Sequence, residues 1–260
     1  MSTLVTVEIN KEKKLKGYLA IDSTVSGRCY GGVRMASDLS PDSLIRAAHV
    51  MTLKHGFLGL PVGGGKAGIV ADPEMPSSEK QEILKAFGRA LKPWLQTKGY
   101  IPAGDLGVTD NEVKFMLAAN DIKALPRSLT YQISGSYTGL TVFIAAIRAA
   151  KYIGLDLNRA SVAIEGFGSV GSSVAQVFWK KGIKVVAVST VQGAVYAEEG
   201  LDIGELLKLH QQAGSRLTRL IQRGEQIDRS KLVELQVDIL SPCAHSYSVT
   251  SNNAHLVTAK

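Results

Sequence analysis

One hexamer limits this chain more than anything else in it: Gly166-Phe167-Gly168-Ser169-Val170-Gly171. The compact apolar stretch Ser161 to Glu165 precedes it, and a helical pattern carrying Val174, Val177 and Phe178 follows, ended by Gly182. Lys184 to Ser189 then reads as a second short strand, with four apolar residues in a row. A G-x-G-x-x-G on its own is weak, because a structural glycine turn has the same pattern. Between a strand and a helix it becomes a dinucleotide fingerprint. In that role Gly166 permits the tight turn, Gly168 lets backbone approach a pyrophosphate, and Gly171 lets helix and strand lie close. The unpaired N–H groups of the new helix, at Ser169 and Val170, face the phosphates. An acidic residue usually grips the adenosine ribose about 20 residues further on. Thr190 stands there. No carboxylate then repels a 2′-phosphate, which leaves NADP possible and speaks against a strict NAD preference; the alternative is that Thr190 only ends a strand.

Alternating strands and helices predict an α/β protein with a parallel sheet covered on both sides. In the first half, residues 3–9 read as a strand and Lys16 to Ile21 as its hairpin partner. Gly31 and Gly32 interrupt the pattern before a short strand, Val33 to Met35. Ser40 with Pro41 starts a helix running to about Phe57, and Gly59, Pro61 and the run Gly63-Gly64-Gly65 break that helix. Ser78 with Gln81 and Thr109 with Glu112 read as capping boxes, the second opening a helix over 110–120. Pro126 to Ser136 links two domains, 1–135 and 136–260, the second of them Rossmann-like. Val237 to Leu240 is a further short strand, and Ala254 to Val257 a closing helix or turn.

The composition, 45% hydrophobic and 20% charged, is that of a globular protein. The +7 net charge is spread out, with no zinc spacing or aromatic-basic interleaving for nucleic acid. No window approaches the ~18 apolar residues of a membrane span. Two cysteines, Cys29 and Cys243, make no disulfide framework, and a cytoplasmic setting is expected.

Three polar residues stand in apolar or glycine-rich surroundings: Lys54 late in the first helix, Lys66 after three glycines, and Asp105 in Gly104-Asp105-Leu106-Gly107. A partly desolvated lysine beside another cation has a lowered pKa and serves acid–base chemistry near neutral pH. From the residues alone, Lys54 is either a surface lysine or a ligand, Lys66 a loop or a site residue, and Asp105 a turn-former or a proton carrier.

At these positions the chain resembles the glutamate/leucine/phenylalanine/valine dehydrogenase family, from near Lys16 to the last residue. Four segments carry the resemblance: Gly31-Gly32-Val33-Arg34-Met35; Met51 to Lys54, continuing to Pro61 through Ala67; Ile101 to Gly107; and Thr138-Gly139. The resemblance implies an N-terminal substrate, catalytic and oligomerisation domain and a C-terminal dinucleotide domain. Lys54 would hold the substrate α-carboxylate. Lys66 would polarise the carbonyl and activate water, and Asp105 would exchange the proton of the amino group. Gly32 would lie against the substrate and Thr138 beside the nicotinamide. Pro242, Cys243 and Ala244 would join the glycine turn at the cofactor, which is NAD or NADP. Tyr30 replaces the lysine that the glutamate branch usually has before Gly-Gly-x-Arg. The segment Asp238 to Ala244 looks closest to the leucine dehydrogenase branch.

The implied activity is NAD(P)-dependent oxidative deamination of an apolar or aromatic L-amino acid to its 2-oxo acid and ammonia, run in either direction. The alternatives are an imine or amine oxidoreductase of a specialised pathway and an inactive nucleotide-binding or assembly protein. No metal, nucleic acid or membrane is implied, and a homo-oligomer is. The resemblance also implies family elements beyond Lys260 and before the first strand, so an open side of the second sheet is expected to be covered by a partner chain or another subunit.

Overall fold

The computed structural model describes residues 3–10, 15–123 and 135–260. Met1–Thr130 and Tyr131–Lys260 are two units, each with one five-stranded sheet. The linker expected over 126–136 falls mostly outside the described residues. No helix among those described is long and apolar enough to cross a membrane.

In the first unit, β1 (Thr3–Asn10) and β2 (Leu15–Ile21) form the expected antiparallel hairpin. The sheet continues through β4 (Gly63–Val70) and β3 (Cys29–Ala36) to β5 (Tyr100–Gly104). β4 runs antiparallel to β2, while β3 is parallel to both β4 and β5. Period-two alternation separates two faces. Cys29, Val33, Met35, Ala67 and Ile69 enter the core, where they meet Leu84, Phe87 and Met116. Those partners come from α2 (Ser77–Ala90) and α4 (Asp110–Ala118), with the short α3 (Lys92–Gln96) between them. The opposite face carries α1 (Pro41–Phe57), which buries Leu44 and Ala48 over Ala20.

α1 ends at Phe57 as expected, and the two glycine segments around it are themselves central strand. Gly31 and Gly32 lie inside β3, and Gly63, Gly64 and Gly65 inside β4. The reason is close approach on both faces. A Cβ on Gly31 would strike Gly65 O, one on Gly63 would strike Ser23 O, and one on Gly64 would strike the α1 backbone at Ala48 and Thr52. The Ser40 cap of α1 and the full capping box of Thr109 and Glu112 form as expected. The box at Ser78 does not: α2 begins a residue earlier, capped by Pro76 with no side-chain bond. Pro93 opens α3.

The second unit begins with α5 (Gly135–Tyr152) and its sheet is ordered β10-β6-β7-β8-β9. β6 (Ser161–Glu165) has parallel neighbours on both sides, β7 (Lys184–Thr190) and β10 (Ile239–Pro242). The sheet is not wholly parallel. β8 (Gly193–Tyr196) and β9 (Glu225–Ile227) add antiparallel strands, the first through a tight hairpin at Val191-Gln192 that the apolar pattern of β7 conceals. α6 (Ser169–Lys180) joins β6 to β7, and α7 (Ile203–Ala213) and α8 (Leu217–Leu220) lead toward β9. The last strand starts two residues after the expected Val237, and Ala254–Leu256 is a 3-10 turn. Apolar side chains of α5, α6 and α7 pack with Val162, Ile164, Val185 and Val188 of β6 and β7.

The glycine contacts distinguish position from residue type. Gly64→Ala should destabilise the protein by about 3 kcal/mol, through a clash with backbone that cannot move aside. Gly56→Ala, in α1 with open space around it, should stabilise it by roughly 0.5–1 kcal/mol. Urea unfolding of both variants checks the contrast.

Candidate active site and dinucleotide cradle

Lys66 is the fourth residue of β4 and takes its place from the register. It pairs with Ala20 of β2 on one side, and β3 passes on the other with Val33 opposite Ala67. Small neighbours leave room above it, on the face that carries α1. Asp105 follows β5 directly. A tight turn fixes it: Val108 N donates to Asp105 O, Asp105 N donates to Val108 O, and Gly107 takes the positive φ that the turn requires. Met35 N donates to Leu106 O, which ties the turn to β3.

These two placements bring the ammonium and the carboxylate together. Lys66 Nζ lies 2.7 Å from Asp105 Oδ2. Arg34 Nε donates to the same oxygen at 2.9 Å. Sequence reasoning misses Arg34. The signal that finds it is the strand period, since Arg34 stands two residues after Gly32 on one face of β3. Gly32 provides clearance for the pair. A Cβ there would come within 2.7 Å of Asp105 Cβ and push the carboxylate away from Lys66.

Burial lowers the Lys66 pKa, and the charges of Arg34 and Lys54 lower it further against the attraction and hydrogen bond of Asp105. For Asp105, burial pulls upward, but the charges and hydrogen bonds of Lys66 and Arg34 outweigh it and hold the carboxyl below its ordinary range. The carboxyl is therefore ionised at neutral pH, beside a lysine that gives up its proton more readily than a free one. Lys54 is exposed on the last turn of α1, close enough for its charge to act on Lys66. His55, buried beside it, bonds Gly63 O through Nδ1 at 3.0 Å, and its ring meets that of Tyr30 at 5.6 Å. Beneath the site, Tyr100 donates to Gly31 O at 2.8 Å. The Cys29 thiol bonds Gly99 O, and burial pushes its pKa up to about 11, so it is packing rather than chemistry.

In the second unit the fingerprint is shaped as the sequence predicts. Gly166 has φ +88°, and a Cβ on it would press within 2.6 Å of Ala244. A Cβ on Gly171 would strike Gly166 O, so only glycine lets α6 lie this close to β6. Gly168 caps α6 with no side-chain bond, and a Cβ there would meet nothing. Gly168 and Ser169 are exposed, so the start of α6 is open on that side. Cys243 N donates to Glu165 O at 2.7 Å, which brings Pro242, Cys243 and Ala244 alongside the turn. Thr138 is exposed on α5, next to Gly139, which packs on Ser173 of α6.

Thr190 corrects an expectation. Its side chain is buried, and its hydroxyl is used up inside the protein: it donates to Ser215 O at 2.7 Å, lies 3.0 Å from Thr218 Oγ1 and accepts from Gln192 N. It presents nothing to a ribose. The neighbouring Ser189, not foreseen from the sequence, accepts from Gly166 N at 2.9 Å and so anchors the glycine turn.

Both halves of the chain match known proteins. A family model described as the Glu/Leu/Phe/Val dehydrogenase dimerisation domain matches residues 2–121, and one described as Glutamate/Leucine/Phenylalanine/Valine dehydrogenase matches 131–260. An NAD-specific glutamate dehydrogenase of Staphylococcus aureus (strain COL) is 34% identical over 259 residues, which cover 95% of this chain and 62% of that protein. A glutamate dehydrogenase of Thermotoga maritima is 31% identical over 257 residues, with 94% and 61% covered. Among solved structures, the hetero-hexameric glutamate dehydrogenase from Thermus thermophilus in its Leu-bound form superposes with a TM-score of 0.82 at 26% identity, over 99% of this chain and 65% of that one. The chain spans less than two thirds of the length of each of these three. With a family model on each unit, the chain belongs to the glutamate/leucine/phenylalanine/valine dehydrogenase family.

Proposed function

We propose that this protein carries out NAD(P)-dependent oxidative deamination of an apolar or aromatic L-amino acid, reversible to reductive amination of the 2-oxo acid. The observation that carries it is the 2.7 Å Lys66–Asp105 pair, with a lysine shifted toward its neutral form. Water and the amino acid become 2-oxo acid and ammonium, and two electrons leave with the α-hydrogen. The dinucleotide, when bound, supplies the acceptor for that hydride. Lys54 holds the α-carboxylate by charge. The neutral amine of Lys66 takes a proton from the water that adds to the substrate imine, and the Asp105 carboxylate takes a proton from the substrate amino group and returns it to the departing amine. Gly32 keeps space clear for Asp105 and substrate, and Arg34 orients the carboxylate.

Two observations support an apolar side chain on the substrate. Tyr30 stands where the glutamate branch has an ammonium, and its ring packs against that of His55. The named relatives above are glutamate dehydrogenases, so the leucine-branch likeness rests on Tyr30 and on the Asp238–Ala244 segment. Either dinucleotide suits the cradle, since β7 ends without a carboxylate. Self-association belongs to the proposal. The first unit matches a dimerisation-domain model, and Val50, Leu53 and Phe57 form an exposed apolar stripe along α1. Along β10 runs a groove of about 400 Å³ lined by Ala146, Ala149, Ile153, Leu240 and Val257, a second apolar surface suited to another subunit. Two free thiols suit a cytoplasmic setting.

An absorbance assay at the reduced nicotinamide band, with ammonia and a panel of 2-oxo acids, tests the reading. Branched and aromatic acids should turn over faster than 2-oxoglutarate. Lys66→Ala and Asp105→Asn should each lower kcat by roughly 10²–10⁴-fold. Dinucleotide binding without turnover of any acid would instead favour a binding protein of this fold.

The pair also sets two pH dependences. Deamination requires neutral Lys66, so kcat/KM should rise with pH through a midpoint below the ordinary lysine value of 10.5. Arg34→Gln removes a charge that lowers Lys66, and the midpoint should move up. The Asp105 carboxyl is depressed in the fold, so its contribution to stability is present above 3.8 and is lost as pH falls through the lower native value. Acid unfolding curves for Asp105→Asn should therefore fall less steeply in that range than those of the unaltered protein.

A further inference from the structure

Among the described residues, two buried side-chain polar atoms lack a hydrogen-bond partner, Glu165 Oε2 and His210 Nδ1. Both flank the glycine turn. Glu165 immediately precedes Gly166, and the ring of His210 stands edge-on to Phe167 at 5.8 Å. The histidine sits under the turn as packing. The carboxylate is different, because of its place in the sheet.

The chain leaves β6 through α6 to reach β7 on one side, while β10 lies on the other side of β6. The β6–β10 boundary is thus the point where the winding of the sheet reverses, and in such sheets ligands bind in the crevice at the carboxyl ends of the strands there. Glu165 is the last residue of β6, level with Pro242 of β10. It is only 9% exposed. A carboxylate oxygen removed from water with no donor opposite it is unfavourable, and nothing in the fold uses it. Its charge reaches Cys243: burial raises that thiol's pKa most, Glu165 adds to the rise, and the Ser241 hydroxyl opposes it.

In a sheet of this kind a dinucleotide held at the start of α6 would have its adenosine half on the β7 side and its nicotinamide half on the β10 side, where Glu165 ends β6. The oxidised ring is cationic and the reduced ring is neutral. We propose that Glu165 is a binding residue for the nicotinamide half of the dinucleotide, and that its carboxylate weights binding toward the oxidised, cationic ring over the reduced one. This rests on the dinucleotide reading above and goes beyond it, naming a residue and a discrimination between redox forms.

The test measures Kd for NAD⁺, NADP⁺, NADH and NADPH by calorimetric titration, on the full chain and on Glu165→Gln and Glu165→Ala. Both variants should fold with undiminished stability, since Oε2 makes no internal bond. Both should bind the oxidised forms more weakly and leave the reduced forms unchanged or tighter, moving the oxidised-to-reduced Kd ratio on the order of tenfold. An unchanged ratio with dinucleotide still bound overturns this proposal alone. No binding of any of the four to the unaltered chain overturns the dinucleotide reading and this proposal with it. Loss of folding in both variants overturns it too, because the carboxylate would then serve the fold.

Discussion

A single carboxylate oxygen, Oδ2 of Asp105, receives both Lys66 and Arg34. That shared acceptor connects β3, β4 and the turn after β5, and much of the local architecture follows from making room for it. β3 and β4 approach so closely that only glycine is tolerated at Gly31, α1 descends onto Gly64, and Gly32 leaves the space that Asp105 fills. The glycines of this unit are therefore less a flexible hinge than a clearance between backbones. The lysine is buried enough to lose its proton early, and the arginine keeps the carboxylate ionised and oriented while it does.

The second unit uses glycine in the same way. Gly171 lets α6 settle on Gly166, Gly166 turns sharply beside Ala244, and Gly168 leaves the start of the helix open on one side. An anion is attracted there by unpaired N–H groups and by the helix dipole rather than by side-chain charge. The side chains that surround the turn work from behind it, Ser189 holding Gly166 N and Phe167 packing on His210.

Much of this is legible along the chain. The fingerprint, its flanking strand and helix, the caps at Ser40 and Thr109 and the two-domain α/β plan all follow from local chemistry, because capping, glycine turns and apolar period are short-range properties. The pairing of Lys66 with Asp105 is approached only through family resemblance, since 38 intervening residues carry no signal of contact. That Gly63 to Gly65 end α1 is legible, but that they form a strand is not, for a physical reason: glycine is disfavoured in strands by its entropy, and that penalty yields where neighbouring backbones leave no room for a Cβ. The β7–β8 hairpin is hidden for the opposite reason, a turn made by Val191 and Gln192 with no turn-forming residue until Gly193.

By itself, then, the sequence determined which segments are helix or strand in most places, where the glycine turn between β6 and α6 lies and which polar residues stand out from apolar surroundings. Tertiary structure alone decided what those residues face. It turned Thr190 inward to Ser215 and Thr218, recruited Arg34 to Asp105, and left one oxygen of Glu165 without a donor at the reversal of the sheet. Hydrogen-bond partners and burial arise between segments far apart in the chain, and they become defined only once strand register and helix contact have fixed the distances.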